Sequence, residues 1–186
     1  MYKISLCAGQ TVLCLMKSCD QMFSSEVLKE AQSVISDALA SGITVASAES
    51  CTGGLVAGAL TAISGSSSVL KGSVVSYTIE IKQKVLGVSK DIFDEPSLGA
   101  VSEPCAAQMA SGVRDVIGSD IAVSVTGIAG PTGEEPGKPV GTVWFGINSK
   151  NFTHTVCKHF SGNREQVREA AVLQALQLIH EAIVKA

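Results

Sequence analysis

The sequence predicts an α/β protein: a three-layer α/β/α single domain with a mixed, mostly parallel sheet and a late antiparallel hairpin. Three observations carry that prediction. Helix-like and strand-like segments alternate from residue 24 to residue 126, a pattern that makes helical crossovers between parallel strands. Ile121 to Thr126 is a near-continuous apolar run, the mark of a strand covered on both faces. Val140 to Asn148 and Phe152 to Phe160 are strand-like and separated only by Ser149-Lys150-Asn151, which reads as a hairpin with a short polar turn.

Each element has its own local reason. Ser24 or Ser25 caps a helix whose apolar positions are Val27, Ala31, Val34, Ile35, Ala38 and Leu39, spaced at three and four, and Gly42 ends it. Ile43 to Ala48 reads as a buried strand, and Gly53 to Ile63 as a helix closed by the Gly65-Ser66-Ser67-Ser68 loop. Val69 to Tyr77 turns from loop into strand, and Ile79 to Leu86 is a short helix ended by Gly87. Ser102-Glu103-Pro104 combines a hydroxyl cap, a first-turn acid and a proline whose missing N–H costs nothing there. Met109, Val113 and Val116 continue the inner face of that helix to Gly118. Arg164 to Val184 is the closing helix, with Val167, Ala171, Leu176, Ile179 and Ile183 turned inward.

Composition bounds the function. The 186 residues suit one domain with a full core, and 46% hydrophobic against 17% charged residues excludes disorder. A net charge of −3 supplies no basic field, so no nucleic-acid partner is expected. No apolar run approaches the roughly 20 residues of a membrane span. Residues 1–23 hold Cys7, Cys14 and Cys19 and a short apolar stretch interrupted upstream by Gly9-Gln10. They are expected to form a poorly ordered N-terminal extension rather than a signal peptide, ahead of a domain over 24–186. Cys51, Cys105 and Cys157 are scattered, with no C-x-x-C pair and no His at metal spacing. Reduced, mostly buried thiols in a cytoplasmic protein follow, with neither a metal site nor a cofactor expected. α/β enzymes of this size and small-residue content commonly form symmetric assemblies, so a homo-oligomer is expected.

The chemistry concentrates in three loop clusters that follow strand ends, where ligands of open α/β sheets collect. They are Glu49-Ser50-Cys51-Thr52-Gly53-Gly54, Tyr77 to Lys82, and Thr126-Gly127-Ile128-Ala129-Gly130-Pro131. The first places a carboxylate, a hydroxyl, a thiol and a helix start within six residues. A serine nucleophile needs a base, and a desolvated lysine serves once burial lowers its pKa. Lys82 lies one turn into a helix and can reach back toward the strand end; the plain alternative is a surface lysine. Cys51 is the rival nucleophile. Gly127 and Gly130 can bring backbone N–H groups close to a ligand. Arg164 and Arg168, on successive turns of a helix start, suit a phosphate monoester, unless Glu165 and Glu169 merely pair with them.

Five motifs together resemble one family. They are Ala48-Glu49-Ser50-Cys51-Thr52-Gly53-Gly54, Gly99 to Pro104, Gly127 to Pro131, Lys138 to Trp144, and Phe160-Ser161-Gly162-Asn163-Arg164. From about residue 26 onward the chain resembles the CinA C-terminal domain family, whose enzymatic members are nicotinamide-nucleotide amidohydrolases, and it looks like the stand-alone form. The resemblance implies hydrolysis of the carboxamide of nicotinamide mononucleotide to nicotinic acid mononucleotide and ammonia. It implies a catalytic pair at Ser50 and Lys82, with Tyr77 orienting or tuning the lysine. Glu49, Cys51, Thr52, Gly53, Gly54, Thr126, Gly127 and Gly130 would line the substrate site, and Arg164 or Arg168 would hold the phosphate. The segment Ser76 to Lys82 resembles the family's Thr-Tyr-Ser-Asn-Glu-Ala-Lys, with Ile79 in place of its asparagine and Thr78 and Ile81 in place of its serine and alanine. A non-catalytic nucleotide-binding or interaction module of the competence/damage-inducible type is the alternative.

Overall fold

The computed structural model describes residues 22–186. The expected extension over 1–23 falls mostly on residues 1–21, which lie outside the described residues. Of the other two, Met22 is exposed, but Phe23 packs against the core, so the packed unit takes in one residue more than expected.

Ser24 opens the first helix by accepting the Val27 N–H, and Gly42 closes α1 (Ser25–Ser41) in the left-handed region. β1 (Val45–Glu49), α2 (Leu55–Thr61), a single 3-10 turn (Ser66–Ser68) and β2 (Leu70–Val75) follow. Next come α3 (Ile79–Leu86), α4 (Lys90–Asp94), α5 (Glu103–Ile117), β3 (Ile121–Gly127), the hairpin β4 (Thr142–Ser149) and β5 (Thr153–His159), and α6 (Arg164–Val184). α4 has no counterpart in the sequence reading. Five residues are too few to display a helical period.

The sheet runs β2-β1-β3-β4-β5. β1 pairs in parallel with both β2 and β3, while β3–β4 and β4–β5 are antiparallel, so β4 alone runs against the other four strands. Alternation along the strands divides the core into two. Val45, Ile121, Val123 and Val125 pack under α1, α2 and α6. Ala46, Ala48 and Ala122 face the other way, under α3, α4 and α5. The small residues on that second face let α5 come close. A Cβ on Gly146 would lie 2.4 Å from the Ala106 carbonyl oxygen, and one on Gly112 would lie 1.9 Å from that of Leu86.

Two details of α5 correct the sequence reading. Val116 is exposed, because Ile117, four residues beyond Val113, takes the inward position instead. Ser102 stands at the helix start, but its hydroxyl donates to the Gly99 carbonyl at 2.8 Å and caps no helical N–H.

Candidate active site

The ends of β1, β2 and β3 lie side by side. Ser50 N–H donates to the Val125 carbonyl at 2.9 Å, and Ser76 N–H to that of Glu49 at 2.8 Å. The chain then leaves β1 through a turn over Cys51–Gly54 whose last two residues take φ of 62° and 99°. Glycine adopts that region without the cost an L side chain bears.

Alternation past the strand end sends Glu49 and Ser50 to opposite faces. Ser50 turns toward α3, where its Oγ lies 3.0 Å from Lys82 Nζ. Thr78 starts α3 by accepting the Ile81 N–H, so Lys82 falls in the first turn and its side chain reaches back over the helix start. There Nζ also donates to the Ser76 carbonyl at 2.6 Å. Lys82 is only 1% exposed and forms no ion pair among the described residues. Burial therefore lowers its pKa below the usual lysine range, only partly offset by the thiols of Cys105 and Cys51. In the charged state Lys82 donates to Ser50. In the neutral state the serine O–H points its proton at the amine lone pair, which is the arrangement a general base needs.

The same burial acts oppositely on the thiols. It pushes Cys51 and Cys105 up to about 11, so both are protonated near neutral pH and Cys51 makes a poor nucleophile.

Glu49 does not share the surface that Ser50 occupies. It is fully buried, and its two oxygens accept the N–H groups of Gly54, Val56 and Ala57 at 2.9, 3.1 and 2.9 Å. Ser47 donates to it as well, at 3.2 Å. The expectation of a carboxylate on the substrate and of free donors at the α2 start is thereby corrected on both counts, since each satisfies the other. No hydrogen bond joins Tyr77 to Lys82 either. It is 60% exposed, and its hydroxyl accepts a long bond of 3.4 Å from Arg164. The carbonyl that steadies Lys82 belongs to Ser76, which the sequence reading passed over because main-chain acceptors leave no residue signature.

Thr126 is buried and donates to the Ala100 carbonyl at 2.7 Å, tying the 99–101 loop to the end of β3. Gly127 is half-buried against β4, where a Cβ would lie 2.7 Å from the Thr142 carbonyl. The Gly130 carbonyl accepts from Arg164 at 2.9 Å, so two of the three loop clusters, those of Tyr77 and Gly130, meet at Arg164. That arginine is exposed at the capped start of α6, where Asn163 and Gln166 form a reciprocal capping box. Arg168 instead turns to the nucleophile loop, donating to the Cys51 and Thr52 carbonyls at 3.1 and 3.0 Å. Two buried hydroxyls close to the dyad, Thr52 Oγ1 and Ser76 Oγ, have no partner among the described residues. Among those residues no helix is long and apolar enough to cross a membrane.

Comparison with known proteins identifies the family. The family model of the CinA C-terminal domain matches residues 28–183. A CinA-like protein of Fervidobacterium nodosum is 41% identical over 158 residues, covering 84% of this chain and 38% of the relative. A putative competence-damage inducible protein of Clostridium novyi is 46% identical over 143 residues, 77% of this chain and 34% of the relative. The chain thus spans little more than a third of the length of these curated relatives. Solved structures are matched nearly whole. The competence/damage inducible protein of Agrobacterium tumefaciens superposes with a TM-score of 0.81 at 38% identity, over 88% of this chain and 99% of its own. The competence damage-inducible protein A of Klebsiella pneumoniae subsp. pneumoniae gives a TM-score of 0.81 at 38% identity, over 85% and 97%. With the fold and the matched span in agreement, this chain belongs to the CinA C-terminal domain family.

Proposed function

We propose that this protein is a Ser–Lys amidohydrolase that converts nicotinamide mononucleotide to nicotinic acid mononucleotide and ammonia. One observation carries the reading: an unpaired, 1% exposed lysine amine 3.0 Å from the hydroxyl of a strand-end serine. A charge buried without an ion pair is costly, and a neutral amine at that distance is a base for Ser50. The substrate is taken from the likeness of Ala48–Gly54 and Tyr77–Lys82 to the nicotinamide-nucleotide amidohydrolases of the family.

The reaction then runs in two halves. Lys82 takes the Ser50 proton as Oγ bonds to the carboxamide carbon, and the Cys51 and Thr52 N–H groups, which have no acceptor in another residue among those described, hold the oxyanion. Lys82 returns that proton to the departing nitrogen, the C–N bond breaks and ammonia leaves. Water attacks the ester, giving its proton to Lys82 as the new C–O bond forms. The bond to Ser50 breaks, and Lys82 reprotonates Oγ. Arg164, exposed and with donors to spare beyond Gly130 and Tyr77, holds the phosphate.

The test is ammonia release from nicotinamide mononucleotide in chelator by the wild type, Ser50→Ala and Lys82→Met. Release lost in both variants supports the dyad. Turnover surviving in either sinks it, and a wild type that binds the nucleotide without releasing ammonia favours the binding module.

A further inference from the structure

We infer that Arg168 is a positioning residue that aims the oxyanion-binding Thr52 N–H of the nucleophile loop, and that it does not hold the substrate phosphate. The inference rests on the reading of Ser50 as nucleophile.

The geometry starts from the peptide plane. The carbonyl of one residue and the N–H of the next are antiparallel across a trans peptide. Arg168 Nε takes the Cys51 carbonyl at 3.1 Å, so the Thr52 N–H points the opposite way. Nη2 takes the Thr52 carbonyl at 3.0 Å and fixes the next plane. α6 packs on the sheet face opposite α3. Drawing both carbonyls toward α6 therefore turns the Thr52 N–H toward the side on which Ser50 meets Lys82. Neither Cys51 N–H nor Thr52 N–H donates to another residue among those described, whereas Ser50 N–H is spent on Val125 and Gly53 N–H on Ser50. Of these two candidate oxyanion donors, the Thr52 N–H shares its peptide plane with a carbonyl that Arg168 holds, whereas the Cys51 N–H shares its plane with the Ser50 carbonyl, held by Gly53 N–H at 3.1 Å.

A planar guanidinium suits this task, because its fork meets two successive carbonyls at fixed spacing and stays charged. The turn's own bonds are Gly53 N–H to the Ser50 carbonyl at 3.1 Å and Leu55 N–H to that of Thr52 at 3.4 Å, and Gly53 and Gly54 widen the backbone states open to it. Glu49 anchors the helix side of the turn and Arg168 the carbonyl side.

The surroundings argue against phosphate at Arg168. The guanidinium borders a cavity of about 430 Å³ whose lining includes Glu165 and Glu169. A phosphate dianion entering there would meet two carboxylates beside one arginine already bonded to two carbonyls.

The experiment measures steady-state hydrolysis of nicotinamide mononucleotide and of the phosphate-free nicotinamide riboside by wild type, Arg168→Met and Arg168→Lys. Binding of pyridine-3-boronic acid is followed in parallel, because its tetrahedral adduct with Ser50 places an oxygen where the oxyanion forms. Arg168→Met is expected to lower kcat about 10- to 100-fold on both substrates, with KM within about threefold. Boronate affinity should fall by a similar factor, and Arg168→Lys, with its single ammonium, should recover only part of each. The lysine variant decides the matter if the methionine variant does not fold. A kcat that holds while KM rises on the mononucleotide alone would assign Arg168 to the phosphate and overturn the inference, as would wild-type values throughout. A wild type that forms the boronate adduct but hydrolyses neither amide would overturn the proposed reaction, and loss of adduct in Arg168→Met would still support the positioning role. A wild type inert to all three probes would overturn the nucleophile and this role with it.

Discussion

Glu49 and Ser50 are neighbours in the chain and belong to opposite layers of the molecule. Glu49 turns under α2 and receives the N–H groups of its cap residue Gly54 and of Val56 and Ala57, while Ser50 turns toward α3 and meets Lys82. The alternation of side chains along an extended backbone is enough to produce this division. One residue shapes the turn, and the next presents the reactive atom at its edge.

Replacing Glu49 by Gln tests the first half of that division. The amide keeps the shape but puts an NH2 against backbone N–H donors that now have too few acceptors. Stability should fall by about 1–3 kcal/mol, the cost of leaving buried donors unsatisfied. Urea denaturation measures it, and a loss below about 0.5 kcal/mol would mean that Glu49 does not anchor the turn.

Lys82→Met should be inactive yet gain stability relative to wild type as the pH falls. The folded pKa of Lys82 is lowered from 10.5 by burial, so above that range neither state binds the proton and there is no linkage term. As the pH drops the unfolded chain is protonated first, and wild type loses stability until the folded pKa is passed. Each unit of depression is worth about 1.4 kcal/mol. Denaturation of both proteins across the alkaline range should show the gap opening toward lower pH; a constant gap would contradict a depressed amine.

The same depression predicts the rate profile. Activity needs neutral Lys82, so kcat/KM should rise with pH through one ionisation below 10.5. Cys51→Ala should keep that single rise, moved slightly toward lower pH because the thiol partly offsets the depression of Lys82, and stay within about threefold of wild type, because the thiol, raised to about 11, is not the nucleophile. A Cys51→Ala variant that lost activity while Ser50→Ala kept it would transfer the nucleophile to the thiol.

The elements were largely legible in the sequence because each carries local punctuation. Ser24 and Gly42 bracket α1 and Gly87 closes α3, and these signals act within a few residues of where they stand. The meeting of Ser50 and Lys82, 32 residues apart, was legible for a different reason: each follows the end of a parallel strand, and such ends lie side by side at one edge of the sheet. The partition of roles was not. Arg168 finds the Cys51 carbonyl from 117 residues away, and main-chain acceptors such as Ser76 O give no sign in a string of side chains. The role of Glu49 depends on which side of the strand each residue takes. That parity follows from the strand's register, which the motif alone leaves open.

His180 supplies a pH dependence of the opposite sign, far from the dyad in the chain. It lies on α6, with Nδ1 2.8 Å from Glu30 Oε1 and Nε2 2.9 Å from Asp37 Oδ2, both on α1. An ionised carboxylate only accepts, so both contacts are hydrogen bonds only if the ring carries two protons and a positive charge. Burial works against that charge, but the hydrogen bonds and charges of Glu30 and Asp37 outweigh it and raise the ring above its usual 6.5. A raised folded pKa stabilises fully below the unfolded value and is lost as the pH climbs through the folded one. His180→Gln should therefore lower Tm by a few degrees at about pH 6 and by much less at about pH 9. Equal losses at both would mean that the ring joins α1 to α6 by packing alone.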